Sequence, residues 1–221
     1  LEDDRLITDT RLTNFIRSLE PDGSENLERI RREALAAEVP IIRDETAALL
    51  KCFIRMMKPE RILEVGTAVG YSALLMAEVM PESAEIVTIE NYPPRIEIAE
   101  KNFRESPYRD RIQLRTGDAG EILSELAHSD EQFPFIFLDA AKGQYPVWFP
   151  DLLSMLPSGG VLMSDNILQD GSIIESRYVI ERRERTIHQR MRDYLFTLKH
   201  SEELETAILT VGDGVAVSVK K

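Results

Sequence analysis

Four residues of this chain have the side chains and the spacing to hold a hard cation and to act beside it: Asp139, Lys142, Asp165 and Asn166. Asp139 follows the apolar run FPFIFL and opens the loop DAAKGQY, while Asp165 and Asn166 follow the apolar triplet VLM and Ser164. Two carboxylates and an amide oxygen suit a divalent ion such as Mg²⁺, with water and substrate oxygens completing an octahedron. Lys142 stands three residues after Asp139, within reach of an oxygen bound there. A nearby cation would ease loss of its proton and make it a general base, whereas the carboxylates would hold the proton, and the sequence leaves both directions open. Taken singly, either Asp reads first as a helix cap or a solvated loop residue. The two positions together with Lys142 point to chemistry.

Those residues need a scaffold that brings loop ends together. From 61 to 166 apolar runs of strand length alternate with helical patterns: RILEV, a helix over 71–80 stopped by Pro81, and IVTI closed by Glu90. A helix then starts at Tyr92-Pro93-Pro94 and breaks at SPYRD, before a strand over 112–116, a short helix over 121–127, a strand over 133–138, a helix over 146–156 and a strand over 161–163. Such alternation predicts a mostly parallel sheet with right-handed crossovers, whose ligands sit at the carboxyl ends of the strands. Segments 207–211 and 215–219, joined by Gly212-Asp213-Gly214, predict a terminal antiparallel hairpin. The expected fold is therefore α/β and Rossmann-like, with a seven-stranded sheet.

The turn after RILEV speaks to the ligand. A dinucleotide site wants three glycines as GxGxxG, but here Gly66 and Gly70 stand alone in ExGxxxGYS, with Glu64 before the turn. An adenosine ligand without a pyrophosphate fits better, Glu90 accepting from its ribose hydroxyls, and S-adenosylmethionine meets that description. Asp118, in Gly117-Asp118-Ala119 after the third strand, can accept from an adenine amino group, although an Asp there is often only a helix cap. The lesser alternative is that the two glycines merely close an ordinary strand-to-helix turn.

Residues 1–58 hold no good strand and predict helices over 6–19, 27–38 and 43–57, with Ser24 after the turn PDGS capping the second and Asp44 the third. The apolar stretch AEVPII at 37–42 would fold over the pocket, bury against a second subunit, or pack on its own sheet. With 221 residues, 43% hydrophobic and 30% charged, a single domain is expected over 1–221, a helical cap over 1–58 on a core over 59–221. The net charge of −12 excludes a general nucleic-acid coat and confines any such contact to a local patch. One cysteine, Cys52, and three scattered histidines give neither a disulfide nor a zinc site, which suggests a reducing, cytoplasmic setting. No apolar run approaches 20 residues and the charged start LEDDRLITDTR is no signal peptide, so no membrane association is expected. The lack of an initiating Met suggests missing or processed residues there.

In order and spacing, EVGTAVGYS, Glu90, GDA, FLDAAKGQY and SDN resemble the class I cation-dependent O-methyltransferases, the group of the catechol and caffeoyl-CoA enzymes. DAAKGQY, the DN followed by ILQDG, and ESRYVIERRERTIHQRM resemble most the bacterial tRNA 5-hydroxyuridine methyltransferases, which form 5-methoxyuridine at the wobble position. The resemblance implies an S-adenosylmethionine site at Val39, Glu64, Gly66, Ser72, Glu90, Asp118, Ala119 and Asp139. It also implies a metal site at Asp139, Asp165 and Asn166, with Lys142 as the catalytic lysine. The implied chemistry is in-line displacement, the metal chelating the 5-hydroxyl and the neighbouring carbonyl of 5-hydroxyuridine. Orientation would supply ~7 kcal/mol or more. A homodimer is expected.

The segment 177–192 concentrates six arginines in an acidic chain. If helical, Ile187, Met191, Tyr194, Leu195 and Leu198 form an apolar stripe, and Arg182, Arg185 and Arg192 face away from it. With Arg177 and Arg183 they are candidate tRNA contacts, since the patch follows the SDN loop; a solvated face with pairs such as Glu181 with Arg185 is the alternative. Trp148 and Tyr145 offer rings to a flipped base, unless Trp148 is helix core. His188 and His200 read as surface or packing residues. A small catechol-like or acyl-CoA-linked phenol is the alternative acceptor, and a non-catalytic adenosine-binding module the other class of function.

Overall fold

The structure, a computed structural model, describes residues 10–21 and 23–221. Three helices come first, α1 (Thr10–Arg17), α2 (Glu25–Ala36) and α3 (Asp44–Met57). Strands and helices then alternate as β1 (Arg61–Val65), α4 (Tyr71–Ala77), β2 (Glu85–Glu90), α5 (Pro93–Arg104), β3 (Ile112–Thr116), α6 (Ala119–His128), β4 (Phe135–Leu138), α7 (Tyr145–Met155) and β5 (Val161–Ser164). The chain ends with α8 (Arg185–His200), β6 (Leu204–Leu209) and β7 (Val215–Lys220). One seven-stranded sheet results, in the order β3-β2-β1-β4-β5-β7-β6. Strands β1 to β5 pair in parallel, and β7 runs antiparallel to both β5 and β6. The Rossmann-like α/β expectation with its terminal hairpin holds.

Successive residues of the central strands send their side chains to opposite faces, and both faces are covered, which is why these strands read as unbroken apolar runs. Ile62, Phe135, Phe137 and Met163 pack against the face that α2, α3, α4 and α5 cover. Leu63, Val65, Ile136, Leu138 and Leu162 join Trp148, Leu152, Met191 and Tyr194 on the other. The order reverses between β1 and β4, so the loops after β1 and β4 part there and leave room for a ligand.

Several boundaries differ from the sequence expectation for local reasons. Residues 6–9 of the first expected helix lie outside the described residues, as does Asp22 of the PDGS turn. Ser24 caps α2 by accepting from the Leu27 amide. Asp44 does not cap α3: Arg43 holds that position with no side-chain bond, and the Asp44 carboxylate is taken by Arg31 at 2.8 Å. Strand β4 starts at Phe135 because the Phe133 amide donates to Met155 and Pro134 has none. Strand β6 begins three residues early because Leu204, Glu205 and Thr206 already pair with β7. Helix α8 starts only at Arg185, whose guanidinium turns back to the carbonyls of Ile180 and Tyr178, so Arg182 is on no helix face. Among the described residues no helix is long and apolar enough to cross a membrane.

Candidate active site

A cavity of about 920 Å³ opens at the carboxyl ends of the parallel strands. Gly66, Thr67 and Ala68 after β1, Glu90 and Asn91 at the end of β2, and Gly117 to Gly120 after β3 form one wall. Asp139 to Lys142 after β4 and Asn166 after β5 form another, and Pro40 to Arg43 close the near side. The stretch 37–42 thus does two of the things expected of it. Val39 and Ile41 pack against the core while Pro40, Ile41 and Ile42 face the cavity.

The turn after β1 is built for close approach. Gly66 has φ 106°, and a Cβ on it would lie 2.0 Å from the Asp139 carbonyl oxygen, so only glycine lets the turn pack against the end of β4. The Glu90 carboxylate is fixed by three amides, Ala68 on Oε2 at 2.8 Å and Asn91 and Tyr92 on Oε1 at 2.9 and 3.0 Å. Oε2 keeps a lone pair for a further donor at the cavity wall. Asp118 also faces the cavity, and its Oδ1 caps α6 by accepting from the Glu121 amide at 3.2 Å. Ala119 and Ser72 line the cavity too.

Val39 and Glu64 do not reach the wall. Glu64 is fully buried, accepts from the Thr88 hydroxyl on Oε2, and has no partner for Oε1. Burial pushes its carboxyl up to about 8, and hydrogen bonding offsets this only in part.

Opposite, the ends of β4 and β5 bring Asp139, Lys142 and Asn166 together. The Lys142 ammonium donates to Asp139 Oδ1 at 2.8 Å, to Asn166 Oδ1 at 2.9 Å and to the Tyr145 hydroxyl at 3.0 Å, with the Asp165 carbonyl beside them at 3.3 Å. Asn166 has φ 54°, a left-handed conformation that Asn tolerates better than most residues, and its amide donates to Asp165 Oδ1 at 2.8 Å. Asp165 lies behind the wall, 1% exposed, and its Oδ2 is buried without a partner. Burial, then the charge of Asp139, push Asp165 up to about 7.

The donors fit a divalent cation. Carboxylate and amide oxygens already converge on one positive charge, and a buried carboxylate oxygen still lacks one. Burial draws the Lys142 pKa down, but Tyr145 and Asp139 outweigh it and hold the side chain above the ordinary lysine value. The direction that sequence left open is, for the chain by itself, toward a retained proton.

Tyr145 is not an exposed ring: it is fully buried, donates to the Leu138 carbonyl at 3.1 Å and receives the Ala140 amide at 3.1 Å. It braces the loop that carries Lys142. Trp148 is mostly buried, yet one part of it lines the cavity. Sequence reasoning overlooked Asp213, which lines the cavity from the hairpin joint and accepts from the Asp170 amide, and Arg43, paired with Asp170 at 2.6 Å. It also overlooked Thr46, whose hydroxyl lies 3.5 Å from Asp165. A polar residue on an otherwise apolar helix face was the available signal for Thr46.

An O-methyltransferase family model matches residues 17–221. The chain belongs to the O-methyltransferase family. A catechol O-methyltransferase of Niastella koreensis is 32% identical over 127 residues, 57% of this chain and 58% of that relative's length. A caffeoyl-CoA O-methyltransferase of Populus kitakamiensis is 28% identical over 76% of the chain and 73% of its own. The crystal structure of a Bacillus cereus O-methyltransferase in complex with SAH shares the fold, with a TM-score of 0.84 at 24% identity, covering 96% of this chain and 98% of that one.

In this member of the family the arginine segment is only partly free. Arg183 pairs with Glu181 at 3.0 Å, in place of the Glu181–Arg185 pair foreseen. Arg190 donates to the Gly143 carbonyl at 3.0 Å, tying α8 to the Lys142 loop, and Arg192 donates to Ile173 at 2.8 Å. Arg177 and Arg182 are exposed. His200 stacks on Phe196 at the surface, and His188 is buried.

Proposed function

We propose that the chain transfers the methyl group of S-adenosylmethionine to a phenolic hydroxyl flanked by a second oxygen, on a small catechol-like or acyl-CoA-linked acceptor, with a divalent cation. The observation behind this reading is the opposition across one cavity of the fixed Glu90 carboxylate and the cluster of Asp139, Lys142 and Asn166 backed by Asp165. The named relatives favour the phenolic acceptor.

Glu90 accepts from the ribose hydroxyls, and Asp118 and Ala119 border the adenine. Glu64, which does not reach the wall, accepts from the Thr88 hydroxyl, itself bonded to Thr67 of the turn after β1, and so supports that turn from beneath. Asp139, Asp165 and Asn166 would hold the cation, which would supply Lewis acidity that eases loss of the acceptor hydroxyl's proton to solvent. Lys142, keeping its proton, adds positive charge beside the reacting oxygen, while Tyr145 and Arg190 set the loop that presents it. The walls align the hydroxyl with the sulfonium methyl, and such alignment is worth ~7 kcal/mol or more.

A second reading, methylation of 5-hydroxyuridine at the tRNA wobble position, is favoured by the exposed Arg177 and Arg182 beyond the cavity and by Trp148 on its wall. The exposed apolar residues Leu12, Phe15, Ile16 and Leu19, in and just after α1, support a homodimer, which sedimentation would test. Transfer of label from S-adenosylmethionine, with and without Mg²⁺, to a catechol and to tRNA bearing 5-hydroxyuridine separates the acceptors. Metal-dependent labelling of catechol alone supports the first reading and of tRNA alone the second. Labelling of neither leaves an adenosine-binding module.

A further inference from the structure

A smaller cavity, about 200 Å³, adjoins the first, and Asp170 lies on the walls of both. Its other walls are Gln169 and Ser172 from the loop after β5, Ile180, and Glu184, Ile187 and His188 at the start of α8. His188 is 3% exposed, faces this space, and has no hydrogen-bond partner on either ring nitrogen. His128 and His200, by contrast, each bond a backbone carbonyl one helical turn back. A buried imidazole with two idle nitrogens costs stability unless something polar meets it, and the half-open space beside it holds several water-sized groups. Ile187 ties this annex to the reacting end of the main cavity, since a Cβ on Gly143, next to Lys142, would stand 3.5 Å from it.

We propose that this annex is a specificity subsite that takes a side chain of the acceptor ending in a hydrogen-bond donor, an amine or a hydroxyl. Its lining is rich in acceptors: the carboxylates of Asp170 and Glu184, the Gln169 amide oxygen, and Ser172, whose hydroxyl hydrogen is already given to the Gln169 carbonyl. No lysine or arginine lines it. Arg43 and Arg183 offset part of the charge from outside, at 2.6 Å from Asp170 and 3.6 Å from Glu184. A carboxylate tail would meet like charge there, and an apolar tail would leave His188 unpaired. The inference rests on the reading of the main cavity as a phenol methylation site.

The test compares catechol with catechols bearing an aminoethyl, a hydroxyethyl or a carboxymethyl chain, by kcat/KM and by the imidazole resonances of ¹⁵N-histidine-labelled protein, which has only three histidines. The amine or hydroxyl tail is expected to raise kcat/KM by ~3- to 10-fold over catechol, the carboxylate tail not at all. The His188 signal alone should move on adding the tailed ligand. The two donor tails tell an amine site from a hydroxyl site. In His188→Leu the preference should fall toward one, and His188→Gln should keep part of it. No preference together with an unmoved His188 signal overturns the annex while catechol turnover upholds the main reading. No methylation of any phenol, with the His188 signal still moving, sinks the phenol reading and keeps the annex as a binding site.

Discussion

Gly66→Ala is expected to be among the most damaging single methyl additions in the chain, and its cost can be divided into parts. The new Cβ would stand 2.0 Å from the Asp139 carbonyl oxygen and 2.8 Å from its carbonyl carbon, both backbone atoms that no side-chain rotation can move. Overpacking of this kind costs about 1–3 kcal/mol or more. Holding alanine at φ 106° adds about 1–3 kcal/mol. The sum, ~2–6 kcal/mol, is a large part of the 5–15 kcal/mol typical of a folded domain. Gly159 supplies the control: its φ is 79°, and nothing lies within 4 Å of an added Cβ. Gly159→Ala should therefore cost only the conformational part, about 1–2 kcal/mol. Urea unfolding of the two variants, compared at equal m-value, reads the difference directly. Because relief of the clash must shift Asp139, the Gly66 variant should also lose more than tenfold in metal-dependent methylation. Equal destabilisation of the two variants would refute the claim that close approach, beyond backbone strain, reserves position 66 for glycine.

Glu64→Gln should flatten the pH dependence of stability. The folded carboxyl keeps its proton up to about 8 against 4.5 in the unfolded chain, so the native form loses stability as pH rises between those values, by at most ~5 kcal/mol. Urea midpoints at pH 5 and pH 9 should move closer together in the variant, Asp165 keeping part of the difference, and an unchanged difference would contradict the assignment. Saturating Mg²⁺ should stabilise the wild-type chain, by about 2.7 kcal/mol at 100 times its Kd, and Asp165→Ala should abolish the effect in a thermal melt made without other ligands. If tRNA is the acceptor, reversing Arg177 and Arg182 to Glu should weaken its methylation roughly tenfold at moderate salt and reduce its salt sensitivity, measured by label transfer. Unaltered tRNA kinetics would remove those arginines from recognition.

The sheet was legible because parallel strands buried on both faces leave apolar runs, and β2, β3 and β4 are each closed, within two residues of their end, by an acidic residue that lines the cavity, Glu90, Asp118 and Asp139. Asp139 was legible for the same reason, as the first polar residue past β4, whereas at β5 the sequence offered Asp165 and Asn166 together and only the fold shows that Asn166 lines the cavity and Asp165 lies behind it. What escaped was anything decided between distant segments. The apolar look of Val39 and the polar look of Glu64 say nothing of depth, and only packing shows both lying off the wall. The arginine count at 177–192 predicted one basic face, whereas Arg185, Arg190 and Arg192 spend their donors on carbonyls of nearby loops. The second cavity has no motif, because its walls come from a loop and a helix start joined only by folding.

The tether of Lys142 to Asp139 and Asn166 gives the acidic cluster an internal counter-ion. A divalent ion binding there would have to compete with an ammonium that cannot diffuse away and is present at high effective concentration. Lys142 offsets part of the charge of Asp139 and Asp165, which eases the repulsion between them, and by the same competition it would lower the affinity for a cation. A chain in which Lys142 is replaced by Met should then bind Mg²⁺ more tightly in calorimetry yet be less stable without it, separating the residue's part in holding the site together from its part in the reaction.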